Sequence, residues 1–204
     1  GRTREIFMIE LAADGAQQGA AIPIALGADV TDLEGITSDG RHFYVVGSQS
    51  KKTGFEGDGL VRFTFDPAAR KIAGVERIQG LKAWLAGNVA ELRGTENRVG
   101  DGVLNIEAIA WDPRGRRLLL GLRAPVVDGS ALVIPIALRD STAPFAPGNI
   151  RVDGAAIRLG LGGAGIRGLE YDEGAAAFRV IAGAAANEES VVFRIVEWDG
   201  KSGA

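Results

Sequence analysis

Residues 32–47, DLEGITSDGRHFYVVG, carry the clearest structural pattern in the chain. A short apolar segment precedes a Ser-Asp-Gly turn at 38–40, and the apolar run 43–46 follows the turn and ends at Gly47. Two strand-like segments joined by a turn rich in aspartate and glycine are typical of a β-hairpin. The stretch therefore predicts two adjacent antiparallel strands.

The same pattern recurs twice further along the chain. Residues 105–121 read NIEAIAWDPRGRRLLLG, and residues 165–183 read GIRGLEYDEGAAAFRVIAG. A third apolar strand is predicted after each hairpin, at 59–65, 131–136 and 190–198, and a fourth at 71–75 in the first unit. A repeated meander of three or four strands is the sequence form of a β-propeller blade.

Two further features complete the predicted fold. Residues 5–11 and 21–26 resemble the outer strands of a preceding blade. Residues 81–93 place apolar side chains on one face at helical spacing, which predicts an inserted helix. That face consists of Leu81, Trp84, Leu85, Val89 and Leu92. The sequence thus predicts an all-β protein: a β-propeller-like array of antiparallel blades, three plus a partial one, with one inserted helix near 81–93.

The number of blades bears on the domain organisation. The 204 residues are expected to form one propeller-like domain, 1–204. A closed propeller needs about four to eight blades, and three blades and a part do not close a ring. We therefore expect the chain to be part of a longer protein with a missing N-terminal portion, or to be completed by another copy.

Composition excludes several classes of function. The net charge of -3 argues against a nucleic-acid partner, and the lack of a long apolar run argues against a membrane span. The absence of cysteine excludes disulfides and thiolate chemistry, and it leaves the cytoplasm and the bacterial periplasm both open. His42 is the single histidine, which excludes two-histidine zinc sites, and we expect it in a surface turn.

Polar residues occupy equivalent positions in the three repeats. The third position of the motif is Glu34, Glu107 and Arg167, and the first is Asp32, Asn105 and Gly165. Because the inner strands of a propeller begin near its central channel, these side chains are expected to form a ring. Charged groups among apolar neighbours need a partner or a metal ion.

Two interpretations of this ring remain open. In the functional one, Glu34 and Glu107, together with Asn105, hold Ca²⁺ or a similar hard divalent cation through their oxygens. Arg123 and Arg167 would then bind a carboxylate or phosphate group bidentately. In the structural one, the glutamates and arginines form a network that joins neighbouring blades.

The motifs resemble a bacterial family, the domain of unknown function 3616. The resemblance rests on 32–35 with 44–48, on 105–107 with 111–112 and 120–125, and on 165–172 with 182–183, and it covers roughly residues 5–200. It implies a propeller-like domain in a longer chain and no established activity. A more distant likeness to esterase-like phytase and lactonase propellers rests on acidic residues at the starts of inner strands. In two departures, Ala108 replaces the glycine of the first repeat, and Gln49 stands where a histidine is expected beside Ser48.

Two functions follow as hypotheses. The first is a propeller-like module that binds a ligand or partner, because no complete catalytic set is present in the sequence. The second is a metal-assisted hydrolase of phosphoester, ester or lactone substrates at the central channel, which the ring and the distant family likeness support. A cation on Glu34 and Glu107 would favour the hydrolase, and a direct salt bridge between Glu34 and Arg167, with a dry channel, would favour the binding module.

Overall fold

A computed structural model describes residues 5–30, 32–51, 58–100, 103–187 and 191–201. Within these residues the chain forms one α-helix and fourteen strands in four antiparallel sheets. The first sheet is the hairpin β1 (Glu5–Leu11) and β2 (Gln17–Ala25). None of the described helices is long and apolar enough to cross a membrane.

The other three sheets are the blades that the repeats predict. The first blade is β3 (Leu33–Ser38), β4 (Phe43–Gly47), β5 (Gly59–Asp66) and β6 (Lys71–Gln79). The second is β7 (Asn105–Asp112), β8 (Arg117–Ala124), β9 (Ala131–Leu138) and β10 (Ile150–Val152), with β11 (Ile157–Leu159) also paired to β9. The third is β12 (Gly165–Asp172), β13 (Ala177–Gly183) and β14 (Arg194–Trp198).

This architecture confirms the prediction of an all-β array of antiparallel blades with one helix. The third and fourth strands lie where they were predicted, although β14 begins at Arg194, and Ser190 is outside the described residues. That residues 1–204 form one propeller-like domain of a longer protein, or one completed by another copy, stays a prediction.

The turn of each hairpin is fixed by its aspartate. Asp39 accepts hydrogen bonds from the backbone N–H groups of Arg41 and His42, at 2.8 and 2.6 Å. In the same way, Asp112 accepts a hydrogen bond from the backbone N–H of Arg114, and Asp172 accepts one from the backbone N–H of Ala175. Aspartate side chains that bond their own turn stabilise the reversal of the chain. The three hairpins therefore fold locally for the same chemical reason.

Inner strands are apolar on both faces because the blades pack against each other. Leu120 belongs to a core shared with the first blade and the helix, whereas its neighbour Leu119 belongs to a core shared with the third blade. In the same way, Val46 belongs to the core shared with the second blade and the helix, whereas its neighbour Val45 belongs to a separate core on the other face of the first blade. Successive side chains of a strand point to opposite faces, so each continuous apolar run contributes to both. Each fully buried leucine or valine contributes about 1.5–3 kcal/mol.

Close backbone contacts join the starts of the inner strands. The backbone N–H of Ile106 donates to the carbonyl of Ser48 at 2.8 Å, which links the first blade to the second. A Cβ added at Gly165 would lie 2.1 Å from the carbonyl oxygen of Arg123, so β12 approaches β8 at a distance that only glycine permits. This packing brings the polar positions of the repeats together.

The helix is shorter than predicted. α1 spans Leu81–Asn88, and a 3₁₀ turn at Ala90–Leu92 follows after Val89, whose φ of -117° and ψ of 118° are extended. Glycine and asparagine have low helix propensity, and Gly87 and Asn88 occupy the last turn. The predicted apolar face is nevertheless largely buried, because the 3₁₀ turn keeps Leu92 in the core.

Candidate functional site

β-Bulges present the charged residues of the repeats. In β3 and β4, Leu33 pairs with Gly47 and Gly35 pairs with Val46, so Glu34 is the extra residue. The same register shift makes Glu107 the extra residue of β7 and Arg167 that of β12. A second shift in the pairing of β7 and β8 makes Arg123 the extra residue of β8. A bulge bends its strand and re-aims the side chain.

We call the group that lies at these strand starts the strand-start cluster. It consists of Asp32, Glu34, Asn105, Glu107, Arg123 and Arg167. The cluster contains all the residues that the sequence predicted as a site, namely Glu34, Asn105, Glu107, Arg123 and Arg167. Electrostatic interactions join Glu34 to Asp32, Glu107, Arg123 and Arg167, which places it among them.

Glu107 lies between two arginines. Arg123 Nη1 donates to Glu107 Oε1 at 3.2 Å, and Arg167 Nε lies 2.8 Å from Glu107 Oε2 in an ion pair. The Glu107 side chain is 10% exposed, and a largely buried charge is costly without such partners. Because Arg167 belongs to the third blade, this pair joins neighbouring blades as the structural interpretation of the ring expects.

Arg123 is held from three sides. Besides Glu107, it donates to the backbone carbonyl of Ala184 at 3.2 Å and to Oδ1 of Asn187 at 2.5 Å. Arg167 instead lies with its guanidinium 5.6 Å from the centroid of the Phe193 ring. Sequence reasoning missed Asn187, because it lies far from the repeat motif in a connecting segment after β13. No local pattern relates it to Arg123.

Glu34 differs from Glu107 in having no partner. Its half-buried carboxyl makes no hydrogen bond or ion pair with any described residue. Burial raises the pKa of Glu34 to about 7, the charges of Glu107 and Asp32 add to the rise, and Arg167 and Arg123 oppose it. Glu34 is thus a carboxyl group that changes its charge near neutral pH.

Asn105 contributes a second oxygen without a donor. Its Nδ2 donates to Glu107 Oε1 at 3.4 Å, whereas its Oδ1 is buried and has no hydrogen-bond partner. Buried polar atoms are nearly always hydrogen-bonded. Asn105 Oδ1 and the Glu34 carboxylate are therefore two acceptors in one cluster that lack donors from the described residues.

A pair of serines borders the cluster. Ser48 Oγ donates to Asp32 Oδ2 at 2.7 Å and lies 3.0 Å from Ser50 Oγ. Gln49, at the departure from the family pattern, is buried with its Nε2 donating to the carbonyls of Gly47 and Gly59. Its amide nitrogen therefore holds the ends of β4 and β5 together.

His42 lies away from these serines. It precedes β4 whereas Ser48 follows it, so the strand separates the two side chains. His42 Nδ1 lies 3.4 Å from Asp39 Oδ2, and the side chain is 23% exposed, which is less than the surface position expected from the sequence. The structure therefore does not bring Ser48 or Ser50 together with the histidine that a triad would need.

The predicted cation site has a mixed donor set. Glu34, Asp32 and Asn105 offer oxygens of the kind that Ca²⁺ prefers. Both carboxylate oxygens of Glu107, however, are already paired with arginine side chains. Among the described residues, no three His, Cys, Asp or Glu side chains are grouped so that they would hold a metal ion. The metal role of Glu34 and Glu107 stays a prediction.

Comparison with known proteins identifies a family for this chain and no curated relative. The search of curated proteins found no match. Among solved structures, a luciferin-regenerating enzyme is similar at 10% identity with a TM-score of 0.48, over 95% of this chain and 51% of that one. The chain thus spans about half the length of that structure. The family model described as a protein of unknown function, DUF3616, matches residues 88–203, which is more than half of the chain. The chain therefore belongs to the DUF3616 family of proteins of unknown function.

Proposed function

We propose that the protein is a ligand-binding module whose strand-start cluster binds a small, positively charged ligand with N–H or O–H donors. The observation that carries the proposal is the Glu34 carboxyl, which lies among charged groups without a donor of its own. The buried Oδ1 of Asn105 also lacks a donor. Since both free groups are acceptors, a ligand that completes the cluster must donate.

The charges of the cluster support a cation. With Glu34 ionised, three carboxylates face two guanidinium groups, those of Arg123 and Arg167. The arginines are engaged with Glu107, so they do not neutralise Glu34 directly. An ammonium or guanidinium group beside Glu34 would form a charge-assisted hydrogen bond, which is about twice as strong as a neutral one.

The pKa of Glu34 gives this binding a pH dependence. A pKa raised to about 7 means that the carboxyl is neutral below this pH and ionised above it. A cation favours the ionised form, so its affinity should rise as the pH rises through 7 and then level off. A neutral polyhydroxy ligand would show a weaker dependence.

The metal-assisted hydrolase has less support. A metal ion at Glu34 and Glu107 would have to compete with the two arginine pairs of Glu107. Breaking a largely buried ion pair is costly because it leaves an uncompensated charge. The lone free carboxyl of Glu34 and the Asn105 oxygen fit a single donor group better than a coordination sphere of six or more oxygens.

The test is a chemical-shift titration by NMR, which detects weak binding of small probes. The probes are methylguanidine and ethanolamine at pH 8, with calcium chloride in a separate series. We expect shifts around Glu34 with a guanidine or amine, lost in Glu34→Gln and retained in Glu173→Gln, an exposed carboxyl in the turn between β12 and β13.

The other outcomes decide against the proposal. Calcium shifts that vanish in both Glu34→Gln and Glu107→Gln would replace it with the metal site. Folded wild-type protein that responds to none of the three probes would exclude this ligand class. A response that survives Glu34→Gln would place the binding elsewhere.

A further inference from the structure

A cavity of about 570 Å³ lies between the first and second blades, at the ends of β3 and β7 opposite the strand-start cluster. It is lined by side chains from β4, β5, β7 and β9 and from the segment that precedes β10. Pockets for small ligands typically enclose about 300–1,000 Å³. The cavity is therefore large enough for a ligand and is separate from the site proposed above.

Aromatic rings form one part of the lining. The rings of Tyr44 and Trp111 are parallel within 2°, with centroids 6.4 Å apart. The Phe145 ring lies edge-on to the Tyr44 ring, with centroids 5.9 Å apart. The guanidinium of Arg62 lies 4.9 Å from the centroid of the Phe145 ring. Tyr44 and Phe145 are buried and Trp111 is only partly so, which leaves the indole available to a planar ligand.

Arginines form another part of the lining. Five of them line the cavity, and two are already paired. Arg62 binds Glu76 at 2.5 Å, and Arg117 binds Asp112 and Asp153 at 3.1 and 3.2 Å.

The remaining three arginines are Arg41, Arg116 and Arg139. They are exposed and make no side-chain ion pair or hydrogen bond with any described residue.

The two carboxylates nearby, Asp39 and Asp140, form no ion pair with these three arginines. Asp39 accepts the backbone N–H groups of its own turn and the hydroxyl of Tyr44 at 2.8 Å. Burial opposes the ionisation of Asp39, but these donors outweigh it and lower its pKa. Asp140, next to Arg139, accepts two hydrogen bonds from Thr142. Three arginines without an ion-pair partner among the described residues therefore line one cavity of a chain whose net charge is -3.

We propose that this cavity binds a small aromatic phosphate of the nucleotide class. Guanidinium groups bind phosphate oxygens bidentately, and Arg41, Arg116 and Arg139 line the cavity. A planar base gains from stacking on an aromatic side chain. Trp111 supplies that partner beside the arginines.

Tryptophan fluorescence and calorimetry test this directly with adenosine 5′-monophosphate as the probe. We expect saturable quenching, abolished in Trp111→Phe, and matching heats in calorimetry. The double variant Arg116→Gln/Arg139→Gln should lower the affinity at least tenfold. Arg93→Gln removes the same charge from an exposed arginine outside the cavity and should change the affinity less than twofold.

Two further probes separate the parts of the ligand. Adenosine and inorganic phosphate should each bind at least tenfold more weakly than the nucleotide. Phosphate that binds as tightly as the nucleotide would overturn the role of the ring, and adenosine that does so would overturn the role of the arginines. Nucleotide binding unaffected by the double variant would overturn the site itself, as would an absence of binding at millimolar nucleotide.

The proposal is independent of the strand-start cluster. Glu34→Gln should leave nucleotide affinity unchanged, and Arg116→Gln/Arg139→Gln should leave the response to methylguanidine unchanged. Capture of an acidic peptide in place of the nucleotide, with the same dependence on Arg116 and Arg139, would overturn the nucleotide class in favour of a protein partner.

Discussion

Nε of Arg167 lies 2.8 Å from Oε2 of Glu107, so the bulge of β12 is joined to the bulge of β7. Glu107 and Arg167 are each the extra residue of a β-bulge, so neither pairs with a residue on the adjacent strand. The contact between the second and third blades therefore includes an ion pair beside the apolar core.

This ion pair should show strong energetic coupling. We expect a double-mutant cycle of Glu107→Gln and Arg167→Gln to give a coupling free energy of about 1–3 kcal/mol, measured by urea unfolding. The matched control is Arg179 with Glu197, an exposed pair at 2.5 Å, for which a clearly smaller coupling free energy is expected because solvent screens it. Equal coupling in the two pairs would contradict a special role for Glu107.

Glu34→Gln should remove a pH dependence of stability. The pKa of Glu34 is raised from 4.5 to about 7, chiefly by burial, so between these values the folded protein holds a proton that the unfolded chain has released. The free energy of unfolding of the wild type therefore falls as the pH rises through this window. The variant should have a Tm roughly 1–4 °C higher than the wild type at pH 8, a small effect because solvent screens the half-exposed group.

The same measurement at pH 4.5 provides the check on Glu34. There the Tm difference should vanish, because the carboxyl is protonated in the folded protein. Glu173→Gln, at an exposed turn, should show no such change with pH. A difference between wild type and Glu34→Gln that is equal at both pH values would refute the raised pKa.

Gly165 is expected to tolerate no side chain. The added methyl group of Gly165→Ala would meet the carbonyl oxygen of Arg123 at 2.1 Å, a backbone atom that cannot move without disturbing β8. We expect a loss of about 2 kcal/mol or more in the free energy of unfolding. Gly148→Ala meets open space and should change stability by less than about 0.5 kcal/mol.

Lys82 should prove structural despite its charge. It is 1% exposed in α1, and its Nζ donates to the backbone carbonyls of Lys51 and Arg98 at 2.7 and 2.6 Å. Lys82→Met keeps most of the volume but leaves both carbonyls without this donor. We expect chemical denaturation to show a loss of about 1–3 kcal/mol, compared with little change for the exposed Lys71→Met.

The hairpins were predictable because their signals are local. An aspartate that bonds its own turn and an apolar run that ends in glycine lie within a few residues of each other, as at 39–47. The proximity of Glu34, Glu107 and Arg167 was also predictable, since these three occupy the same position in each repeat. Their bulges were not, because a bulge is a property of the register between two strands.

The features that the sequence did not reveal depend on packing between distant segments. Arg41 and Arg116 lie in hairpin turns, where an exposed arginine carries no signal of its own. They border one cavity only because the first blade packs against the second beside Tyr44 and Trp111. The early end of α1 likewise follows from the local conformation of Val89, which the apolar spacing of 81–93 does not encode.

The bulges also allow the repeats to differ in charge. Glu34, Glu107 and Arg167 are each left out of the strand pairing, so substitution there exchanges an acid for a base without changing the hydrogen-bond ladder. The three repeats of this chain thus carry two acids and one base at one position while they keep the same strand pairing.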